Sequence, residues 1–282
     1  MATLVQITNA EYHADTEHVG STMLKTLLKS PADYYDLYVA KTRSKPETPA
    51  MLLGSLLHTL VLEPETRDAL YYVRPDGIDG RTVAGKAFLA QLALVSVGKR
   101  EVKADVAAKA EKMAAAVRGS TCVADILAVA QRELTVFWDE PMGEWPVACK
   151  ARLDLFVARP DQCRDLILDL KTSDDPTPEA FCRDGDYGPI ANFRYDLQLA
   201  HYAAGIETAR GRACDAGLIV VGSNEPHDVY LYDMTDYLPQ GIAWRREAMA
   251  RLVACQTSDL WQRPEQRRVN RPSPGPWSRK PE

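Results

Sequence analysis

The chain has 282 residues and a mass of 31.3 kDa, with 46% apolar and 26% charged residues. That balance excludes wholesale disorder and accommodates one large domain or two small ones. Thirty-four Lys and Arg against 39 Asp and Glu leave a formal net charge of -5 and a pI of ≈ 5.6, which excludes a protein that coats nucleic acid by bulk electrostatics. The charge is uneven, however. Gln262 to Glu282 carries a net +4 and the preceding chain -9, and Asp161–Ala200 holds nine acids against four bases. An acidic interior with a basic tail suits a metal site beside a polyanion at least as well as it suits an ordinary soluble enzyme.

The first half reads as helical. Ser21–Lys29 opens on a good N-cap residue and places Met23, Leu24, Leu27 and Leu28 on one face. Ser30-Pro31-Ala32 restarts a helix through Tyr34, Tyr35, Leu37 and Tyr38, with proline at its tolerated first position. After a break at Pro46–Pro49, Ala50–Leu62 is a third helix, apolar on nearly all sides and so expected to be buried. Gly85–Val97 and Val102–Val117 are two more. Past Arg132 the period shortens: Leu134–Trp138, Val147–Val157 and Asp165–Lys171 read as strands, the last two antiparallel about a turn at Pro160-Asp161. A helix over Ile190–Arg210, strands over Ala216–Gly222 and Val229–Asp233, and a helix over Tyr237–Cys255 complete the pattern. The fold class expected is α/β, a mixed sheet flanked by helices with an N-terminal helical elaboration. One domain spans 1–258, and 259–282 is a Pro- and Arg-rich, poorly ordered tail.

Six cysteines (Cys122, Cys149, Cys163, Cys182, Cys214 and Cys255) form no CxxC pair, so free thiols in a reducing compartment are expected. The N-terminus has no basic segment leading into an apolar one, so no signal peptide is expected. No apolar run approaches the roughly 18 residues a membrane span needs; the best is Met51–Leu62, which contains His58. These features predict a cytoplasmic protein with no membrane partner.

Chemistry concentrates on the strand pair. Asp169 and Lys171 share one strand face and interrupt an apolar run, Leu166-Ile-Leu-Asp-Leu-Lys171, with Asp154 on the neighbouring strand. Burying such charge costs several kcal/mol unless it is paired or ligates a metal, so an Asp–Lys ion pair and a metal site are both open. His58 follows Gly54 by one helical turn, which leaves room beside the imidazole, although a lone His in an apolar helix also reads as a core residue. Gln198 and Tyr202, spaced i, i+4, present an amide and a phenol on one face, as an ordinary amphipathic helix also does.

In their order, Gly54-xxx-His58, Asp154, Asp169-x-Lys171 and Gln198-xxx-Tyr202 resemble the PD-(D/E)xK nuclease superfamily and its RecB-like group. Leu53–Glu65, the opening Tyr12-His-Ala with Gly20-Ser-Thr-Met-Leu-Lys25 and Ser30-Pro-Ala32, Cys149–Asp154, and Leu168–Thr172 are similar to segments of the RecE-type exonucleases (exonuclease VIII). The resemblance, over roughly Tyr12–Trp261, implies a restriction-endonuclease-like fold and a metal-dependent, ATP-independent exonuclease that resects double-stranded DNA ends. It implies Mg²⁺ or Mn²⁺ bound by His58, Asp154, Asp169 and the carbonyl of Leu170. Lys171 would orient or deprotonate the attacking water, Gln198 and Tyr202 would position the strand, and Arg152 would hold a phosphate. Glu133 would be an outer-shell ligand. It further implies 5′→3′ polarity, a homo-oligomeric ring, a single-strand annealing partner and a phage origin, hence a bacterial host cytoplasm.

The chain departs from the pattern in having Leu153 where the superfamily's proline precedes the first acid. The one late cysteine, Cys255, makes an iron–sulfur cluster unexpected, and the absence of a GxxxxGK[ST] motif argues against ATP use. Two rivals stand: a RecB-like nuclease of restriction, repair or CRISPR adaptation acting on single strands or endonucleolytically, and a degenerate DNA-binding subunit without catalysis.

Overall fold

A computed structural model describes residues 2–75, 77–183 and 188–262. In chain order the elements are β1 (Thr3–Val5), α1 (Asn9–Ala14), α2 (Ser21–Lys29), α3 (Pro31–Tyr34) running into a π-helical turn (Tyr35–Val39), α4 (Pro49–Leu62), α5 (Arg67–Leu70), β2 (Tyr71–Arg74), α6 (Val83–Val95), β3 (Arg100–Lys103), α7 (Ala104–Gly119) and α8 (Thr121–Val129). Then follow β4 (Gln131–Glu140), β5 (Val147–Val157), β6 (Asp165–Ser173), α9 (Pro178–Phe181), α10 (Pro189–Phe193), α11 (Tyr195–Arg210), β7 (Cys214–Gly222), β8 (Val229–Asp233) and α12 (Leu238–Ser258). Six strands form one sheet in the order β1-β4-β5-β6-β7-β8. Every neighbouring pair is antiparallel except β6 and β7, which are parallel and joined through α11. The fold is the expected α/β class.

Both faces of the sheet are covered, and β7 shows why its sequence is apolar throughout. Leu218 and Val220 feed one core with α2, α11 and α12, through Leu24, Leu27, Leu197, Ile206 and Leu252. Ile219 and Val221 feed a second core on the opposite face with α4, α7 and α8, through Leu57, Leu60, Met113, Val117 and Val123. Successive strand side chains alternate faces, so a strand buried on both sides has no polar register.

Two differences from the sequence expectations have physical causes. The helix expected over Ile190–Arg210 is broken at Arg194, which adopts φ 50. A left-handed residue other than glycine costs roughly 1–2 kcal/mol, and here the Arg194 guanidinium lies 4.0 Å from the centroid of the Trp244 ring, an offsetting cation–π contact. The helix expected from Val102 starts at Ala104, because Arg100–Lys103 pairs in parallel with Tyr71–Arg74 and buries Val102 and Tyr71 in the second core. Helix α8 and strand β1 were not anticipated. The tail expected beyond 259 lies, from residue 263, outside the described residues; before it, Trp261 stacks on Tyr34 with ring centroids 5.5 Å apart.

Helices α11 and α12 approach so closely that a Cβ at Gly241 would lie 2.1 Å from the Asp196 carbonyl oxygen, whereas one at Gly205 would meet only side chains of Val136 and Trp138. Beside them, His201 is wholly buried against Trp138, with ring centroids 4.8 Å apart. Arg245 Nε donates to its Nδ1 at 3.4 Å and its Nε2–H donates to the Lys150 carbonyl at 3.1 Å, so the neutral Nε2–H tautomer is required. Burial first, and then the Arg245 charge, hold the imidazole down to about 3.

Gly241→Ala is expected to destabilise the fold by about 1–3 kcal/mol in urea melts, and Gly205→Ala by less, since side chains yield more readily than a backbone carbonyl. His201 yields a pH dependence. Below its ordinary value of 6.5 the unfolded chain binds a proton that the folded chain refuses until about 3, so stability falls with pH across that window, by up to roughly 1.4 kcal/mol per unit. His201→Gln should flatten the stability difference between pH 7 and pH 5; an unchanged slope would disprove the assignment.

Candidate active site and metal centre

Strands β5 and β6 are hydrogen-bonded neighbours only at Leu155↔Leu168, Phe156↔Ile167 and Val157↔Leu166. Beyond these pairs they part, and the Leu170 N–H is taken instead by Asp154 Oδ2 at 2.7 Å. On the other side of β5, Glu133 adopts φ 51 between the pairs Arg132↔Leu155 and Leu134↔Leu153. The alternation of β5 slips at the same level: Leu153 belongs to the first core and Leu155, two residues on, to the second. A notch opens there, into which the sheet delivers two carboxylates.

Arg152 holds Glu133 in this strained conformation. Its guanidinium pairs with the Glu133 carboxylate, reaches Glu63 Oε2 at 3.1 Å and donates to the Ile7 carbonyl. Arg152 is 7% exposed. Nε, Nη1 and Nη2 each donate to a protein acceptor, so Arg152, expected to hold a phosphate, here orients an acid. His58 enters the notch from α4. Leu170 O is only an acceptor, so the His58 ring carries its proton on Nε2, 2.8 Å away. That leaves the Nδ1 lone pair facing Asp154 Oδ2 at 3.4 Å. The space at Gly54 is open, but a Cβ there would meet nothing within 4 Å, the imidazole included, so the glycine is not what makes room for His58.

Ligand atoms of His58, Glu133 and Asp154 all lie within 4.8 Å of one another. Glu133, expected in an outer shell, is thus one of the three, and Leu170 borders them through both its N–H and its carbonyl. Asp169, expected among the ligands, is not part of this triplet. It is 1% exposed, with Oδ1 accepting from Gln198 Nε2 at 2.8 Å and Oδ2 against the Lys171 ammonium. No hydrogen bond of proper geometry reaches that Oδ2, so we read the contact as an ion pair with acceptor capacity to spare.

The electrostatics show a deficit of positive charge. Burial first, and then the Asp169 charge, push Asp154 well above the carboxylate range. Burial and then Asp154 push Glu133 up to about 7. Burial followed by Lys171 depresses His58, which keeps the imidazole neutral, the form that ligates. Two acceptors aimed at one another, as His58 Nδ1 and Asp154 Oδ2 are, require a shared proton or a cation between them. A donor set of one imidazole and carboxylate oxygens suits Mg²⁺ or Mn²⁺, so the residues fit a divalent cation. Burial lowers Lys171, but Asp169 and then Asp154 outweigh it, so its pKa lies above the ordinary lysine value.

Helix α11 completes the site. Gln198 Nε2 donates to Asp169 and, at 2.9 Å, to Tyr202 Oη, which consumes both amide protons. Gln198, expected to position the strand, here spends its amide protons within the protein. Its Oε1 accepts from Lys25 Nζ at 2.7 Å. Lys25 and Tyr195 were missed in the sequence, Tyr195 lying with its ring centroid 5.4 Å from Lys171 Nζ and 5.6 Å from Lys25 Nζ. A signal for Lys25 existed: Ser21, Leu24, Lys25 and Leu28 fall at i, i+3, i+4 and i+7, one helix face. None existed for the left-handed turn at Glu133.

Mn²⁺ should raise the melting temperature, by the equivalent of about 2.7 kcal/mol at a hundredfold excess over its Kd. Asp154→Asn and Glu133→Gln should each remove most of that gain, while melting no lower than the parent without metal because a like-charge contact is relieved. A full Mn²⁺ shift in both variants would rule out this centre.

No curated protein sequence matches the chain. A crystal structure from Eubacterium rectale, of a protein whose own description as an exonuclease is provisional, superposes at TM-score 0.61 with 14% identity, covering 96% of this chain and 97% of that one. The crystal structure of SSO0001 gives TM-score 0.30 at 14% identity, over 71% of this chain and 86% of that one, too little to carry an argument. The first comparison shows a shared fold. Residues 20–266 match the model of the PDDEXK-like domain of unknown function (DUF3799), and the chain belongs to that family.

Proposed function

We propose that the protein is a divalent-metal-dependent, ATP-independent DNA exonuclease that resects double-stranded ends. The observation that carries this reading is the juxtaposition of the His58–Glu133–Asp154 triplet with the Asp169–Lys171 ion pair. One part is an acidic cradle short of a cation, and the other an ammonium set beside it. A cation such as Mg²⁺ or Mn²⁺ supplies Lewis-acid stabilisation of the charge that builds on phosphate and leaving oxygens. Lys171 remains an ammonium at neutral pH because Asp169 and Asp154 raise its pKa over the opposing effect of burial. It acts as a donor that orients the attacking water and the phosphate, rather than as a base. Asp169 fixes that ammonium, Gln198 fixes Asp169, and Tyr202 completes the hydrogen-bond chain.

The finer reading rests on the resemblance to RecE-type exonucleases: 5′→3′ digestion, a homo-oligomeric ring enclosing the DNA, and delivery of the exposed strand to a single-strand annealing protein. Net charge of -5 accords with a ring, where only the surface facing DNA need be basic. Among the described residues no helix is long and apolar enough to cross a membrane.

Purified protein with Mg²⁺ should degrade blunt linear DNA and leave a closed circle intact; nicking of the circle would favour the endonucleolytic, RecB-like reading. Asp169→Asn and Lys171→Ala should each lower the rate by about 10²–10⁴-fold with circular dichroism unchanged. If both retained full Mg²⁺-dependent degradation, the catalytic assignment would be wrong, and absence of any nuclease activity in the parent would favour the non-catalytic subunit.

A further inference from the structure

Lys25 presents an energetic problem that the site as described does not solve. It lies on α2, outside the catalytic strands, and is partly buried. The hydrogen bond it makes goes to a neutral partner, Gln198 Oε1 at 2.7 Å. Among the described residues no carboxylate oxygen comes within the 4.0 Å of an ion pair with Lys25, and the nearby Asp169 pairs with Lys171. Burial first, and then the neighbouring Lys171 charge, push the Lys25 ammonium down to about 7, against the smaller opposing influence of the Asp169 and Asp196 charges. Both ammonium groups lie against the Tyr195 ring, Lys25 Nζ 5.6 Å and Lys171 Nζ 5.4 Å from its centroid. A half-buried cation paired only with an amide, beside a second cation, is costly unless an anion arrives.

The hydrogen-bond directions show what the anion would meet. An ammonium only donates, so Lys25 forces Oε1 of Gln198 toward itself and Nε2 toward Asp169 and Tyr202. Gln198 therefore has no proton left for a phosphate, whereas Lys25 retains donors beyond the one spent on the amide.

Building on the nuclease reading above, we propose that Lys25 donates to a non-bridging phosphate oxygen of the strand held at Asp169 and Lys171, taking the strand-binding role that Gln198 cannot fill. The same contact ties substrate to catalysis, because the residue that grips the phosphate also orients the amide that holds Asp169.

The test measures binding without turnover, using a 5′-phosphorylated DNA duplex with Ca²⁺ in place of Mg²⁺. Loss of one phosphate contact should reduce the slope of log affinity against log salt by about 0.7–0.9 in Lys25→Met, with Lys25→Arg restoring it. A single neutral methylphosphonate walked along the strand should weaken binding by the parent at one position and leave Lys25→Met indifferent there. Lys25→Met should also melt at or above the parent temperature, since it removes an unpaired charge. An unchanged salt slope with methylphosphonate sensitivity retained, or a lowered melting temperature with an unchanged slope, would overturn the proposal while leaving a cutting enzyme intact. A parent protein that neither binds nor cuts DNA would overturn the nuclease reading and this inference together.

Discussion

Glu133 and Asp154 place two carboxylates in a notch that the sheet itself opens, with Asp169 on the adjoining strand, and all three are buried to 8% exposure or less. Burial and mutual repulsion raise the pKa values of Asp154 and Glu133, and the two cations in direct ion pairs with the three acids, Arg152 and Lys171, are one too few to match them. Everything nearby is arranged around that excess. Arg152 clamps one acid, the Leu170 N–H serves the second and Gln198 serves the third. The strain of Glu133 and the separation of β5 from β6 are the backbone's share of the same arrangement, in keeping with strain stored at functional sites.

The scaffold makes such a concentration tolerable because it is packed from both faces. Helices α2, α11 and α12 press on one side of the sheet and α4, α7 and α8 on the other, so the strands carrying the acids have little freedom to relax apart. Each layer also contributes to the site: α4 brings His58, α11 brings Gln198 and Tyr202, and α2 brings Lys25. The close approach at Gly241 and the His201–Arg245–Glu140 network lock α11 and α12 against the sheet. The register of Gln198 opposite Asp169 depends on them.

Much of the site was legible before the fold was known. Asp154, Asp169 and Lys171 stand out because charge in an apolar, strand-forming run demands a reason, and His58 because α4 is otherwise apolar. The strands Val147–Val157 and Val229–Asp233 end where their patterns end. What stayed hidden had no local signature. Arg152 alternates with Asp154 on one strand and looks like a phosphate ligand until Glu133 and Glu63 are seen to claim it. Glu133 matters through a left-handed backbone that no composition announces. Lys25 resembles any helical lysine until α2 is laid against α11.

The residue types and their order determined the class of chemistry: hard-ligand carboxylates, an imidazole, and an acid two residues from a lysine on a strand. Periodicity determined the α/β layering, because apolar spacing is a local property of each segment. Only the tertiary structure decided which acids converge, since His58, Glu133 and Asp154 are far apart in sequence and meet where two strands part. It also decided which donors are spent and which remain. Hydrogen-bond capacity is fixed for each group, but its allocation among partners is settled only when all of them are packed together.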